Sequence, residues 1–426
     1  MKINQPAIIT ACFFLVGLPA LVRSEEWTQF RGPDFGRTSE TNIAKTWDTE
    51  GIQWKSPLPG RGASSPVVFG DHVYITAFTG YAIDKHNPGD PTQLVRHLLC
   101  LDVNTGKMLW QKSVADDSVK DPFSTWGTAK AGYASSSAAV DASGVYVLFG
   151  ATGVLAFSHD GEERWRTLCG NDTHEYPAGT SPVLYKDYVI VNASYECGDL
   201  IALRKSDGSE VWRQKDVTQS WNTPIVYQSV NGKDELAVSA VDEIRAIDPL
   251  TGNGRWTCDG FDEYVCPSLI AQDGVLYAIG GRKGEALAVR SGGNGDVTDS
   301  HRLWEIKEGA NVSSPVYHDG YLFWAKDKGS ILYCVHAETG EVAYEQRLRP
   351  SCDEIYATPL LANGRLYYVS RENGIFVVDA TPEFKLLAHT KLDGDDSLFA
   401  ASPVPLLGGA VLLRSDHFLY RMKPAK

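Results

Sequence analysis

Short runs in which apolar and polar residues alternate follow one another along nearly the whole chain, each bounded by Gly, Asp, Asn or Pro. Alternation between turn signals predicts β-strands. Leu101 to Trp110 is the clearest instance: an apolar-alternating run ends in Asp102, Thr105-Gly106 makes a tight turn, and a second run ends in Trp110. A two-stranded antiparallel hairpin is expected there. Weaker copies follow at Asp160-Gly161 to Trp165, Asp207-Gly208 to Trp212, Asp248 through Thr251-Gly252 to Trp256, and Glu338-Thr339-Gly340 to Tyr344. The chain is built from repeats.

A second signature, a small or polar residue and Pro opening an apolar-alternating run, marks where each unit begins. It occurs at Ser65-Pro66, Ser181-Pro182, Thr223-Pro224, Cys266-Pro267, Ser314-Pro315, Thr358-Pro359 and Ser402-Pro403, and in degraded form at Ser137-Ala138. That gives eight units. After the first, the starts fall about 42–48 residues apart, the period of four-stranded propeller blades. The longer first interval holds two Gly-, Pro-, Asp- and Ser-rich insertions, roughly 78–97 and 113–132, which read as loops. Turns such as Asp273-Gly274 and Asn363-Gly364 join the first two strands of a unit, and the Asp-to-Trp hairpin joins the last two.

The eighth unit runs out after Arg421 with room for three strands. Its missing outer strand is expected at the other end of the chain, because Trp54 precedes Pro66 by the same spacing with which Trp212, Trp256 and Trp304 precede their next unit starts. The expected fold is therefore all-β: an eight-bladed β-propeller of four-stranded antiparallel blades, closed by an N-terminal strand that completes the last blade. Residues 25–426 form one domain in this reading, with 25–57 as an N-terminal arm and closing strand.

Composition adds compartment and partners. Residues 1–24 read as a secretory signal: Lys2, an apolar stretch from Ala7 to Val22 broken by Pro19, and a cleavage point after Val22-Arg23-Ser24. A membrane anchor is the alternative, and Pro19 shortens the apolar run below what a span requires. Export to the periplasm or outside the cell is expected. The chain carries a net charge of −13 and no Lys/Arg stripe, which disfavours nucleic acid. Seven cysteines remain beyond the signal, an odd number; Cys258 with Cys266 is the best disulfide candidate, and buried free thiols are the alternative.

The Asp-x-x-Thr-Gly-x-x-x-Trp pattern at this period, the Ser-Ser-Pro-Val strand starts, and the opening Trp27-x-Gln29-Phe30-Arg31-Gly32-Pro33 resemble the pyrroloquinoline quinone (PQQ)-like β-propeller repeat family. The resemblance spans nearly all of residues 25–426. It implies eight blades held by Trp docking between neighbours, a fold shared by periplasmic quinoprotein alcohol dehydrogenases and by the propeller lipoprotein of the outer-membrane β-barrel assembly machinery. Fold is specified strongly by this motif and function weakly.

In a propeller, the connections between blades and those between the second and third strands of each blade gather at one mouth of the central channel. The first set holds Trp126, His174-Glu175-Tyr176, Trp221-Asn222, Asp262-Glu263-Tyr264, Asp353-Glu354 with Tyr356, and Asp395-Asp396 with Phe399. Aromatic faces beside carboxylates suit a sugar ring, a cation or a basic peptide. Aromatics that pack gaps between blades and solvated acidic turns are the plainer alternative. The second set is more basic, and Lys326 and Arg371 could meet an anionic ligand there or pair with neighbouring acids.

A catalytic quinoprotein needs calcium beside the quinone and a carboxylate base. The dehydrogenases of the resemblance add a vicinal cysteine pair, and this sequence has no Cys-Cys. Its Gly-rich segments sit in hairpins rather than before helices, no Gly-x-Ser-x-Gly elbow stands out, and its His residues lack metal-ligand spacing. The expectation is an exported, non-catalytic binding or scaffold protein of the cell envelope without a cofactor. It is expected to be monomeric, not integral to the membrane, and to hold an envelope protein or carbohydrate at an acidic-aromatic mouth. A PQQ- and calcium-dependent alcohol or sugar dehydrogenase is the alternative.

Overall fold

The computed structural model describes residues 1, 26–84, 86–115, 132–172, 176–352 and 354–425. The expected signal segment and most of the second insertion lie outside the described residues.

Eight sheets succeed one another along the chain, and each runs outward from a short inner strand. The inner strands of blades 1 to 8 are Val67–Phe69, Ala139–Asp141, Val183–Tyr185, Ile225–Gln228, Ile270–Gln272, Val316–His318, Leu360–Ala362 and Val404–Pro405. Within the blades the pairing is antiparallel, and two blades gain a short parallel fifth strand. Blade 8 is completed by Ile52–Pro57, whose Lys55 pairs with Tyr420 and Ser56 with Leu419, so the N-terminal strand closes the ring. Closure leaves no blade with an open flank.

The recurring hairpin has a physical cause at each of its positions. Asp102 Oδ1 accepts the N–H groups of Asn104 and Thr105 at 3.0 and 2.7 Å and the Thr105 hydroxyl at 2.8 Å, which fixes the turn. These bonds hold the Asp102 carboxyl below its ordinary range. Gly106 has φ +72°, and a Cβ there would lie 2.6 Å from Trp54 of the preceding outer strand. The indole lies flat on the glycine and donates its Nε1–H to Val103 O at 3.1 Å. Trp110, Trp165, Trp212 and Trp304 each repeat this, covering Gly161, Gly208, Gly252 and Gly340 and bonding a carbonyl of the next blade. The Trp at the end of one repeat is therefore the lock for the glycine of the next.

Three blades depart from the rule. Trp256 donates to Glu235 Oε2 at 3.0 Å instead, and the next hairpin is the longer segment that contains Gly295–Asp296 and the helical turn Thr298–His301. Blade 6 uses Tyr344, edge-on to Phe384 at 5.6 Å. In blade 7 the equivalent position is Ala388, paired with Val377. There the arm supplies the missing ring: Trp47 is 1% exposed, stacks on Tyr367 at 5.4 Å, and shares a hydrophobic cluster with Ala388.

The Ser/Thr of the second signature forms a belt around the channel neck. Each backbone N–H donates to the hydroxyl of the next blade, from Ser65 through Ser137, Ser181, Thr223 and Ser268 to Ser314, and from Thr358 through Ser402 back to Ser65, at 2.8–3.0 Å. In blade 5 the belt residue is Ser268 and not Cys266, so the neighbouring intervals are 45 and 46 residues. A hydroxyl is needed to accept the bond, and Cys266, two residues earlier, lies on the channel wall instead.

The arm does more than its irregular sequence predicts. The carbonyls of Trp27 and Thr28 accept from Val68 and Val140 on the inner strands of blades 1 and 2, while the Gly36 carbonyl accepts from Leu361 in blade 7. Arg31 is buried midway, and its guanidinium donates to Leu269 O at 2.9 Å and Pro315 O at 2.8 Å in blades 5 and 6. Residues 27–38 thus cross the channel from one wall to the other. Burial without a carboxylate lowers the Arg31 pKa to about 9.

Candidate functional site: the channel mouth

With the arm as its floor, the channel becomes a cup of 540 Å³. Phe30 of the arm and the belt residues Ser65, Thr223, Ser268, Ser314 and Ser402 line its lower part. That volume suits a small molecule or the tip of a peptide loop.

One arc of the wall is aromatic. Trp221 packs against Tyr195 with ring centres 3.8 Å apart and planes tilted by 31°, and takes the edges of Tyr176 and Tyr264 at 6.1 and 5.5 Å. Its Nε1–H donates to Pro177 O at 3.0 Å and its backbone N–H to Val265 O at 2.8 Å, so neighbouring connections hold the ring from two sides. Beneath it, Asn192 Nδ2 donates to Ser220 Oγ at 2.7 Å and to Asn222 O at 3.0 Å. These fully buried polar contacts make the loop rigid, because each group would be costly to leave unpaired. Burial raises the Tyr264 pKa, which keeps its hydroxyl protonated and able to donate.

The adjoining arc is basic. Arg282, Lys283, Lys326 and Lys328 line the cup, with Asp327 between the last two. Lys283 is paired with Asp262, and Arg282 lies 3.9 Å from Glu263. Deeper in the wall, Arg414 is fully buried, donating to Ser64 O and Thr76 O at 2.7 Å each. Desolvation lowers its pKa to about 10 and leaves it a cation at neutral pH. Among the described residues the lining is more basic than the acidic-aromatic mouth expected from sequence.

The sequence-derived residues fall into three groups. Tyr176, Trp221, Tyr264, Lys326 and Tyr356 line the one cup. Asp262 and Glu263 stand on the rim facing cations, whereas Glu354 and Arg371 form an ion pair at 2.7 Å, with the Arg371 guanidinium 4.5 Å from the centre of the Tyr356 ring. They support the wall rather than line it. Trp126, His174, Glu175 and Asp353 lie outside the described residues. Sequence reasoning missed Tyr195, Asn311 and the floor residue Phe30 as parts of the site: no motif marks the first two, and the opening motif that contains Phe30 does not show that it reaches the channel.

The fold and the cup define an eight-bladed propeller with a floored, ligand-sized central mouth. The chain belongs to the PQQ-like propeller family whose model is described as outer membrane protein assembly factor BamB, matched over residues 95–293 and 272–383. Among solved structures it is similar to BamB from Moraxella catarrhalis, at 13% identity over 87% of this chain and 97% of that one, with a TM-score of 0.58. It is similar also to the quinohemoprotein alcohol dehydrogenase from Comamonas testosteroni, at 12% identity over 93% and 80%, TM-score 0.64. A computationally designed protein, Ika8, shares the fold at 12% identity over 86% and 98%, TM-score 0.58. At these identities the likenesses establish the fold alone. No curated protein matches the sequence.

Proposed function

We propose that the protein is an exported, non-catalytic propeller that holds an envelope partner at the mouth of its cup. The observation that carries this reading is the juxtaposition of a pinned aromatic arc with a basic arc over a floored cavity. Aromatic faces take a flat or apolar group and the cations take an anionic one. An acidic loop of an envelope protein offers both, and a carbohydrate acid is the small-molecule counterpart. Membership of a family described by an outer-membrane assembly factor supports the protein partner. No described helix is long and apolar enough to cross a membrane, which is compatible with a partner-bound role beside one.

A PQQ- and calcium-dependent alcohol or sugar dehydrogenase is the competing reading. Calcium requires several converging oxygen ligands. The described rim carboxylates diverge, each towards its own cation: Asp262 to Lys283, Glu263 to Arg282 and Glu354 to Arg371. Engagement of these three described carboxylates by cations counts against their use as calcium ligands.

Two measurements decide. Purified protein mixed with PQQ and calcium should take up no stoichiometric quinone and reduce no dye with a panel of alcohols. Affinity capture from envelope extracts should retain a partner that Trp221→Ala and Lys326→Glu each lose by at least tenfold. Quinone uptake with turnover would replace the scaffold reading, and undiminished capture by both variants would move the interface off the cup.

A further inference from the structure

The cysteine pairing expected from sequence, Cys258 with Cys266, does not match the geometry. Cys258 lies on an outer strand, with its sulfur against Arg302, while Cys266 lines the cup, and both are free thiols. Another pair, both free thiols in this structure, lies on segments that run side by side. Cys169 follows the outer strand of blade 2, and Cys197 sits in the turn between the second and third strands of blade 3; both pack into the one hydrophobic cluster between those blades. The two backbones touch: a Cβ added to Gly170, next to Cys169, would lie 2.8 Å from Cys197 Cβ and closer still to the Glu196 carbonyl. The Asp172 N–H donates to that same Glu196 carbonyl at 3.1 Å, which fixes the two segments side by side.

We propose that Cys169 and Cys197 are an oxidisable dithiol that closes to a disulfide between blades 2 and 3. The two thiols are unequal. Cys169 is 3% exposed, and burial pushes its pKa up to about 12, with Glu196 and Cys197 adding to it. Cys197 is half-buried and has the Arg213 guanidinium 3.4 Å from its sulfur. Burial and the Asp199 carboxylate raise its pKa too, and the cation works in the opposite direction, but Cys197 is the more exposed of the two thiols. Cys197 is therefore the attacking group. Its thiolate displaces one thiolate from an external disulfide, giving a mixed disulfide; Cys169 then gives up its proton, attacks the Cys197 sulfur and expels the second thiolate. One disulfide of the oxidant is reduced to two thiols as one protein disulfide forms.

The bond would act on the mouth. Cys197 lies two residues after Tyr195, which stacks on Trp221, and Cys197 and Gly198 close the turn through N–H bonds to Ala193 O at 3.0 and 3.1 Å. Tying Cys197 to blade 2 would fix the turn that carries Tyr195 against the aromatic arc.

The test uses the full chain and glutathione disulfide as oxidant, followed by alkylation in denaturant and digestion without reductant. A peptide pair joined through Cys169 and Cys197, lighter by two hydrogens than its free components and lost on adding dithiothreitol, is the expected result. Cys169→Ser should trap the glutathione adduct on Cys197, whereas Cys197→Ser should leave Cys169 unmodified. Full alkylation of both cysteines in the wild type after oxidation, or Cys197 joined to any other cysteine, would overturn the proposal. That outcome leaves the partner-binding reading untouched, because capture by the cup does not require the bond.

Discussion

Gly208 shows how a single missing side chain holds two blades together. Its Cβ would meet Trp165 at 2.5 Å with backbone at φ +72°, so Gly208→Ala must displace the indole and strain the turn at once. A loss of about 2–4 kcal/mol is expected, read as a lower urea midpoint with unchanged slope. Both members of this lock were legible as a hairpin motif, because Asp, Thr-Gly and Trp recur at one spacing; that the Trp serves the following copy was not, since the contact crosses between repeats. Glu196 carried no such signal. It is 4% exposed, and burial raises its pKa to about 7. Between about pH 4.5 and 7 the unfolded chain has lost a proton that the folded chain keeps, so this residue makes stability fall as pH rises through that window and level off above it. Glu196→Gln should remove the slope, gaining about 3 kcal/mol over wild type between pH 4.5 and 8 in parallel urea titrations.

Among the elements, the arm departs furthest from its sequence. Residues 51–57 were legible as a closing strand because Trp54 keeps the spacing of the other outer-strand Trp residues. Residues 27–38 were not, because their partners are three inner strands and the residues just before two others, scattered along the chain, and such contacts leave no local periodicity. The arm is nonetheless structural. Arg31→Ala would strip donors from the buried carbonyls of Leu269 and Pro315, at a cost of about 2–4 kcal/mol. Trp47→Ala would empty the site between blades 7 and 8 that Ala388 cannot fill, at about 3–5 kcal/mol. Guanidinium melts of the two variants check both figures, and a near wild-type midpoint for either would mean that the arm rests on the ring without supporting it.

For the whole molecule, the repeat period foretold the ring and its closure, while the character of the mouth depended on which loop side chains turn inward. Arg282, Lys283, Lys326 and Lys328 line the cup in a chain whose net charge is −13, as the more basic second set of connections suggested, so the summed charge says little about the local field. Acids adjacent in sequence to the aromatics were read as sharing their site, and the structure turns Asp262 and Glu354 towards cations instead. The arm also sets an order of events in biogenesis. Its bonds reach from the inner strand of blade 1 to that of blade 7, and the strand that follows it needs Phe418–Met422. A strand made early thus waits for the last strand to find its partner. Every chain short of the final strand leaves Ile52–Pro57 without its antiparallel partner, so the ring cannot close before its last strand exists.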